Sequence, residues 1–327
     1  VKKVRLSVGT AAVMNLLKLR SDAQPSTAYI MTYTDGSCRG NCGFCPQASE
    51  SSSDKELLSR IVWPDFEFGV FLEKAILSIR EAKFHRLCIQ ALNYPDFVND
   101  VSQICSSILS KVSIPVSVSC PPMSKLQMEN LRKIGVERIG IPIDAATEEI
   151  FEKVKGTLAG GPYRWNSHFA ALKNALEVFG RNKVSTHLIV GLGETEQQMV
   201  EIIQRLFDMG VTPSLFALTP IEGTKLGASR RPEIGHYRRI QLARFLIMQV
   251  LSSAQLMKFG VDGRITDFGT KPEFLNKAIS LGHPFKTSGC PGCNRPFYTE
   301  SPRGPIYNYP RDLSEEERRK VLQEIET

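Results

Sequence analysis

Apolar positions along this chain alternate between two rhythms. Short apolar runs rich in β-branched residues are each followed by a stretch in which apolar residues recur every three or four positions, a succession that predicts strand, helix, strand, helix. Tyr29-Ile-Met-Thr-Tyr-Thr34 reads as the first strand, and Phe68, Phe71, Leu72, Ala75, Ile76 and Ile79 mark a helix. Arg86 to Leu92 is strand two, followed by the helical stripe Val98, Val101, Cys105, Ile108 and Val112. Ile114 to Ser119, Arg138 to Ile143, Val184 to Val190 and Pro213 to Leu218 are strands three to six. Helices are predicted between them: one opened by a Ser124–Gln127 capping box and stopped near Gly135, a short one from Thr147 to Lys155, one from Ser167 to Phe179, and one carrying Met199, Ile202, Ile203 and Leu206. His236 to Lys258 reads as a long last helix of this series.

Six alternations predict a parallel sheet with right-handed crossovers. At this length the expected form is α/β, a TIM-type (β/α) barrel that is partial and six-stranded or nearly complete. Three parts are expected: a helical extension over 1–27, the barrel over 28–260, and an irregular C-terminal extension over 261–327. The extension is rich in Gly and Pro, reads as a lid, and ends in a charged helix capped by Ser314. The serine run Ser49 to Ser53 reads as a mobile link.

The 327 residues, 42% of them hydrophobic, suffice for a large core and exclude global disorder. The charge of +7 is spread along the chain without a basic run or a stacking motif, so no nucleic-acid role is expected; an acidic protein partner suits it better. Lys2-Lys3-Val4-Arg5 before Leu6 to Leu17 faintly mimics a signal peptide, but Ser7, Gly9, Thr10 and Asn15 interrupt it. No run approaches a membrane span. A cytoplasmic, reducing setting is expected from the cysteine usage.

The chemistry is concentrated in Cys38-Arg-Gly-Asn-Cys42-Gly-Phe-Cys45. Thiolate is the soft ligand that iron–sulfur clusters need, and three thiolates at this spacing can hold three irons of a [4Fe-4S] cluster. The fourth iron is then open to the amino and carboxylate groups of S-adenosylmethionine (SAM). Structural zinc sites more often use two C-x2-C pairs. A second set is suggested by Cys290-Pro-Gly-Cys293 together with Cys88 in strand two and Cys120 at the end of strand three. If Cys88 and Cys120 both point into the barrel, four thiolates enclose an auxiliary [4Fe-4S] cluster. The alternatives are buried apolar thiols, a redox pair or half of a zinc site. Arg164 is a candidate for the methionine carboxylate, since a guanidinium forks onto a carboxylate. His168, opening a helix nearby, is a candidate cofactor contact; the other histidines read as structural or surface residues.

The cysteine loop with Pro46-Gln47, the turn Ile189-Val-Gly-Leu-Gly-Glu-Thr195 and the segment Pro220-Ile-Glu-Gly-Thr224 resemble the biotin synthase-like branch of the radical SAM superfamily. The resemblance runs from about residue 28 to 260. It implies that the Phe44 backbone lies against adenine, that Asp144 bonds the ribose, and that Gly191, Gly193 and Glu194 line the adenine side. It also sets Cys88 and Cys120 where biotin synthases carry ligands to their sulfur-donating cluster. Strand two departs from many relatives, carrying Cys-Ile-Gln-Ala-Leu where they have Gly-Gly-Glu. With its tail included, the chain looks most like the archaeal two-component lipoyl synthases. That likeness implies sulfur insertion into an octanoyl chain on a lipoyl carrier protein or peptide, by a radical made from SAM and with the auxiliary cluster as sulfur donor. It also implies a second related radical SAM protein in the same pathway and an electron donor such as ferredoxin.

Overall fold

The structure is a computed structural model that describes residues 1–327. β1 (Lys3–Leu6) and α1 (Val8–Val13) lead into β2 (Thr27–Thr32). A small hairpin, β3 (Leu57–Leu58) with β4 (Ile61–Val62), and β5 (Asp65–Glu67) precede α2 (Phe68–Arg80). The alternation then proceeds as β6 (Arg86–Gln90), α3 (Phe97–Leu109), β7 (Val116–Ser119), α4 (Lys125–Ile134), β8 (Arg138–Gly140), α5 (Glu148–Val154) and α6 (Trp165–Phe179). It closes with β9 (Val184–Val190), α7 (Glu196–Met209), β10 (Thr212–Ala217) and α8 (Ile234–Met248). The tail holds β11 (Lys258–Phe259), β12 (Ile265–Asp267), α9 (Pro272–Leu281), a 3-10 turn at His283–Phe285 and α10 (Glu315–Glu326).

Eight strands make one sheet in the order β10-β9-β8-β7-β6-β2-β1-β5. β2 and β6 to β10 pair in parallel and are the six strands expected, now an open, partial barrel. Every residue of β2 is buried, as a parallel strand covered on both faces requires. The helices start and stop where the side chains dictate. Ser124 with Gln127 and Thr195 with Gln198 form capping boxes, and Gly135 and Gly210 end their helices in the left-handed region. No helix is long and apolar enough to cross a membrane.

Three expectations need correction. Residues 1–27 are not simply helical: β1 pairs antiparallel with both β2 and β5, burying Val4 and Leu6 while Lys3 and Arg5 face outward. The long helix stops at Met248 instead of Lys258, because the chain turns at Val250 (φ 55°) and the Ser252 hydroxyl donates to the Phe268 and Gly269 carbonyls. The serine run is not a free link. Ser52 N–H and the Ser51 and Ser52 hydroxyls all donate to the Gly223 carbonyl, and Gly223 (φ 83°) approaches the Ser53 backbone so closely that a Cβ would sit 2.5 Å from its nitrogen.

Candidate active site

The cysteine loop follows β2 at the C-terminal end of the sheet. It leads into turns and the β3–β4 hairpin, and no helix follows it directly. Its backbone is fixed from three sides. Gly43 N–H donates to the Val154 carbonyl (2.7 Å), the Gly43 carbonyl accepts from Leu226 N–H (2.8 Å), and Asn41 donates to the Ala159 carbonyl (2.8 Å). Gly40 lies against Tyr163, where a Cβ would come within 2.9 Å of the phenol oxygen. Cys38 Sγ accepts from the backbone of Gly40 (3.3 Å) and Asn93 (3.4 Å), the kind of hydrogen bonds that tune a cluster thiolate. Burial pushes the Cys42 and Cys45 thiols up, Cys45 to about 12. All three cysteines and Phe44 line one cavity of about 260 Å³.

The rest of the wall is set by register. Tyr29, Cys88, Ser117 and Arg138 are aligned across β2, β6, β7 and β8, and all four border the cavity. The next inward row is Met31, Gln90, Ser119 and Gly140. Across from them the tail brings in Cys290, Cys293 and Arg295. Cys290 Sγ lies 3.4 Å from Ser117 Oγ, and Cys293 Sγ 3.2 Å from the Tyr29 hydroxyl. Burial, then the neighbouring Cys290 and Cys293, raise the Cys88 thiol. Cys120, just past the end of β7, borders the same cavity but is not among the groups that bear on Cys88. It is 2% exposed, its thiol is raised to about 12 by burial alone, and no other thiol bears on it. No three His, Cys, Asp or Glu side chains converge tightly enough to hold a single metal ion. A cluster several atoms across spaces its thiolates more widely.

Asp144 sits just past β8 with φ 68°, its N–H donating to His187 and its carbonyl accepting from Ile189. Its carboxylate meets Lys155 Nζ at 2.6 Å, with side chains only 8% and 6% exposed. Both residues border the cavity. In the sequence Lys155 read only as the end of a short helix, with nothing to tie it to Asp144. His187, expected to be structural, also lines the cavity between β8 and β10.

Five expected site residues lie elsewhere. Arg164 is exposed, its guanidinium held by the Gly161 and Tyr163 carbonyls. His168 is packed against Phe151 and Tyr163 and does not border the cavity. Gly191, Gly193 and Glu194 form the turn that follows β9 and are not among the residues bordering the cavity. Gly191 and Gly193 have φ of 104° and 110°, and the Glu194 carboxylate accepts from the N–H groups of Gly191 (2.6 Å) and Leu192 (2.9 Å). This carboxylate holds the turn together.

That turn carries a pH-sensitive contact. His236 lies 3.3 Å from Glu196 and 3.9 Å from Glu194. Burial disfavours its charge, but the hydrogen bonds to Glu194 and Glu196 outweigh that and raise it to about 9. Since the unfolded imidazole titrates near 6.5, its stabilisation is complete below that pH and is lost as pH rises through about 9. Denaturant unfolding of the apo chain should show stability falling across this window, with a smaller fall in His236→Phe. An equal fall in the variant would remove His236 as the cause.

The radical SAM superfamily model matches residues 35–206. The biotin synthase of Janthinobacterium sp. (strain Marseille) is 25% identical over 213 residues, which cover 61% of this chain and 56% of that protein. The chain thus spans about half the length of the curated relatives it matches. Among solved structures, methylornithine synthase aligns with a TM-score of 0.54 at 13% identity over 73% of each chain. The [FeFe]-hydrogenase maturase HydG of Carboxydothermus hydrogenoformans aligns with a TM-score of 0.50 at 21% identity, over 68% of this chain and 51% of that one. These two likenesses establish the shared barrel fold.

Proposed function

Because this chain belongs to the radical SAM superfamily, we propose that it is a sulfur-inserting enzyme of lipoyl synthase type, acting on an octanoyl chain attached to a carrier protein. The observation that carries this reading is the second thiol set, Cys88, Cys290 and Cys293, facing the same cavity as Cys38, Cys42 and Cys45. A radical enzyme that only removes hydrogen needs one set; one that also donates an atom needs a store of it.

The residues suit the groups that the family implies. The Cys38–Cys45 loop offers three soft donors and no fourth, the set that leaves one iron of a [4Fe-4S] cluster open for SAM. Phe44 and Asp144 are the candidates to hold the nucleoside, with Lys155 fixing the Asp144 carboxylate. Together the cluster and SAM supply a carbon radical, which an aliphatic C–H requires because it has no acidic proton for a general base to take. The chain's own work is to bind, to orient and to exclude water. Tyr298, Phe216, Met31 and Leu92 make much of the wall apolar. Arg295, stacked 3.9 Å over the Phe216 ring, brings positive charge to the second thiol set. The overall charge of +7 suits an acidic carrier domain, a second related protein completing the product, and an acidic electron donor such as ferredoxin.

The 25% identity to biotin synthases favours one rival, sulfur insertion into a small molecule. Mass spectrometry of an octanoylated carrier peptide incubated with reconstituted protein, SAM and reductant separates the two. A gain of one sulfur supports the reading, while 5′-deoxyadenosine without sulfur on the peptide favours the rival or a chemistry without sulfur. Cys290→Ala is expected to lose sulfur transfer while retaining SAM cleavage. Sulfur transfer at full level in that variant would remove the second thiol set from the reaction.

A further inference from the structure

Two uncharged side chains on the cavity wall have hydrogen-bonding groups that nothing in the chain satisfies, and the inference from them rests on the acyl-carrier reading above. His187, on β9, borders the cavity and packs its ring 4.7 Å from that of Phe216. Burial, then the charges of Arg295 and Lys155, hold its imidazole down at about 3, and no hydrogen bond within the chain reaches the ring. Lys155 also bears on Cys42, and Arg295 on Cys293, so the neutral His187 ring lies within range of a cation beside each thiol set. Tyr298, on the tail, meets the same Phe216 ring edge-on at 6.0 Å and borders the same cavity. Burial, then the Cys45 thiol, raises its phenol, and Cys88 adds to the rise, so one thiol of each set bears on this hydroxyl. It too lacks a hydrogen bond within the chain.

Buried polar groups in folded proteins find partners, and a cavity wall that leaves two of them open suits a guest that supplies the partners. We propose that His187 and Tyr298 hold an amide of the substrate, the Tyr298 hydroxyl donating to its carbonyl and the His187 ring accepting from its N–H. A phenol donates and a neutral imidazole accepts at one nitrogen, so the pair matches the two faces of an amide. A carboxylate would be drawn to Arg295 instead. Under the acyl-carrier reading the amide is the one that joins the octanoyl chain to the carrier lysine. The methylenes of that chain are chemically alike and give the wall no directional contact. Anchoring the amide sets how far the chain enters, and so which carbon meets the radical.

The test uses the full reconstituted chain with two substrates: the octanoylated carrier peptide, and the same peptide with oxygen in place of the amide nitrogen. His187→Phe and Tyr298→Phe should each raise the KM for the amide peptide by about 3- to 10-fold, the loss of one hydrogen bond between neutral groups. The wild type should prefer the amide to the ester by a similar factor. His187→Phe should lose that preference, Tyr298→Phe should keep it, and His187→Gln, which restores an acceptor, should recover part of it. A merely structural role for His187 would not move this preference, and iron content equal to wild type checks that each variant is folded. An unchanged KM in both Phe variants, or a full preference for the amide in His187→Phe, would overturn the proposal. Wild-type protein that cleaves SAM but transfers no sulfur to the amide peptide would overturn the acyl-carrier reading, and the amide contact with it.

Discussion

Replacing Cys42 with Ala is expected to reduce 5′-deoxyadenosine formation to background and to lower iron from about eight to about four per chain. The loop supplies only three thiols, so losing one leaves two irons without a protein ligand instead of one. Nothing nearby can substitute. The backbone at Gly43 is tied to Val154 and Leu226, which fixes the loop, and the tail thiols bear on Cys88 while, among thiols, Cys42 feels only its loop partners Cys38 and Cys45. Cys42→Ser should fail as well, since a hydroxyl is a hard donor on soft iron. Cys105→Ala is the control: that thiol is fully buried in the α3 core and its loss should leave iron unchanged. Iron and sulfide assays with chromatographic detection of deoxyadenosine decide the matter. Full cleavage by Cys42→Ala would remove the loop from the chemistry.

Lys155→Ala should destabilise the apo chain by about 3–5 kcal/mol, the usual cost of leaving a buried charge without its partner. Lys155 donates to both Asp144 and the Pro142 carbonyl, and its ammonium lies 5.1 Å from the Tyr163 ring centroid. Without it the Asp144 carboxylate, 8% exposed, faces an apolar wall. The double variant Lys155→Met with Asp144→Asn should recover most of that loss, because no charge is then stranded. Urea unfolding of the apo proteins measures both. A loss below about 1 kcal/mol in Lys155→Ala would mean that the pair behaves like a solvated surface bridge.

The six parallel strands were legible because strands buried on both faces read as unbroken apolar runs, and β9 matches its expected limits residue for residue. β1 and β5 were not legible. They are short, expose every second residue or more, and owe their existence to partners far along the chain. The cysteine loop was visible because its chemistry is local. Cys120 reaches the cavity, but it is the tail thiols Cys290 and Cys293 that bear on Cys88, a contact no local pattern announces. Arg164 and His168 were chosen for their chemistry, yet what places a side chain on the cavity is its position in the register. Lys155 escaped notice because a lysine at a helix end is normally solvated; only the distance to Asp144 reveals it.

Ser117 and Cys290 are 173 residues apart, whereas the first three thiols occupy one turn of chain. On the ribosome this separation becomes a schedule. The early thiols have their supporting contacts once Leu226 has emerged, and the late pair follows after an interval on the order of seconds. A nascent polypeptide therefore presents its docking points for metal one after the other. A chain arrested before Cys293 would carry the first thiol set, with its supporting contacts, and lack the late pair.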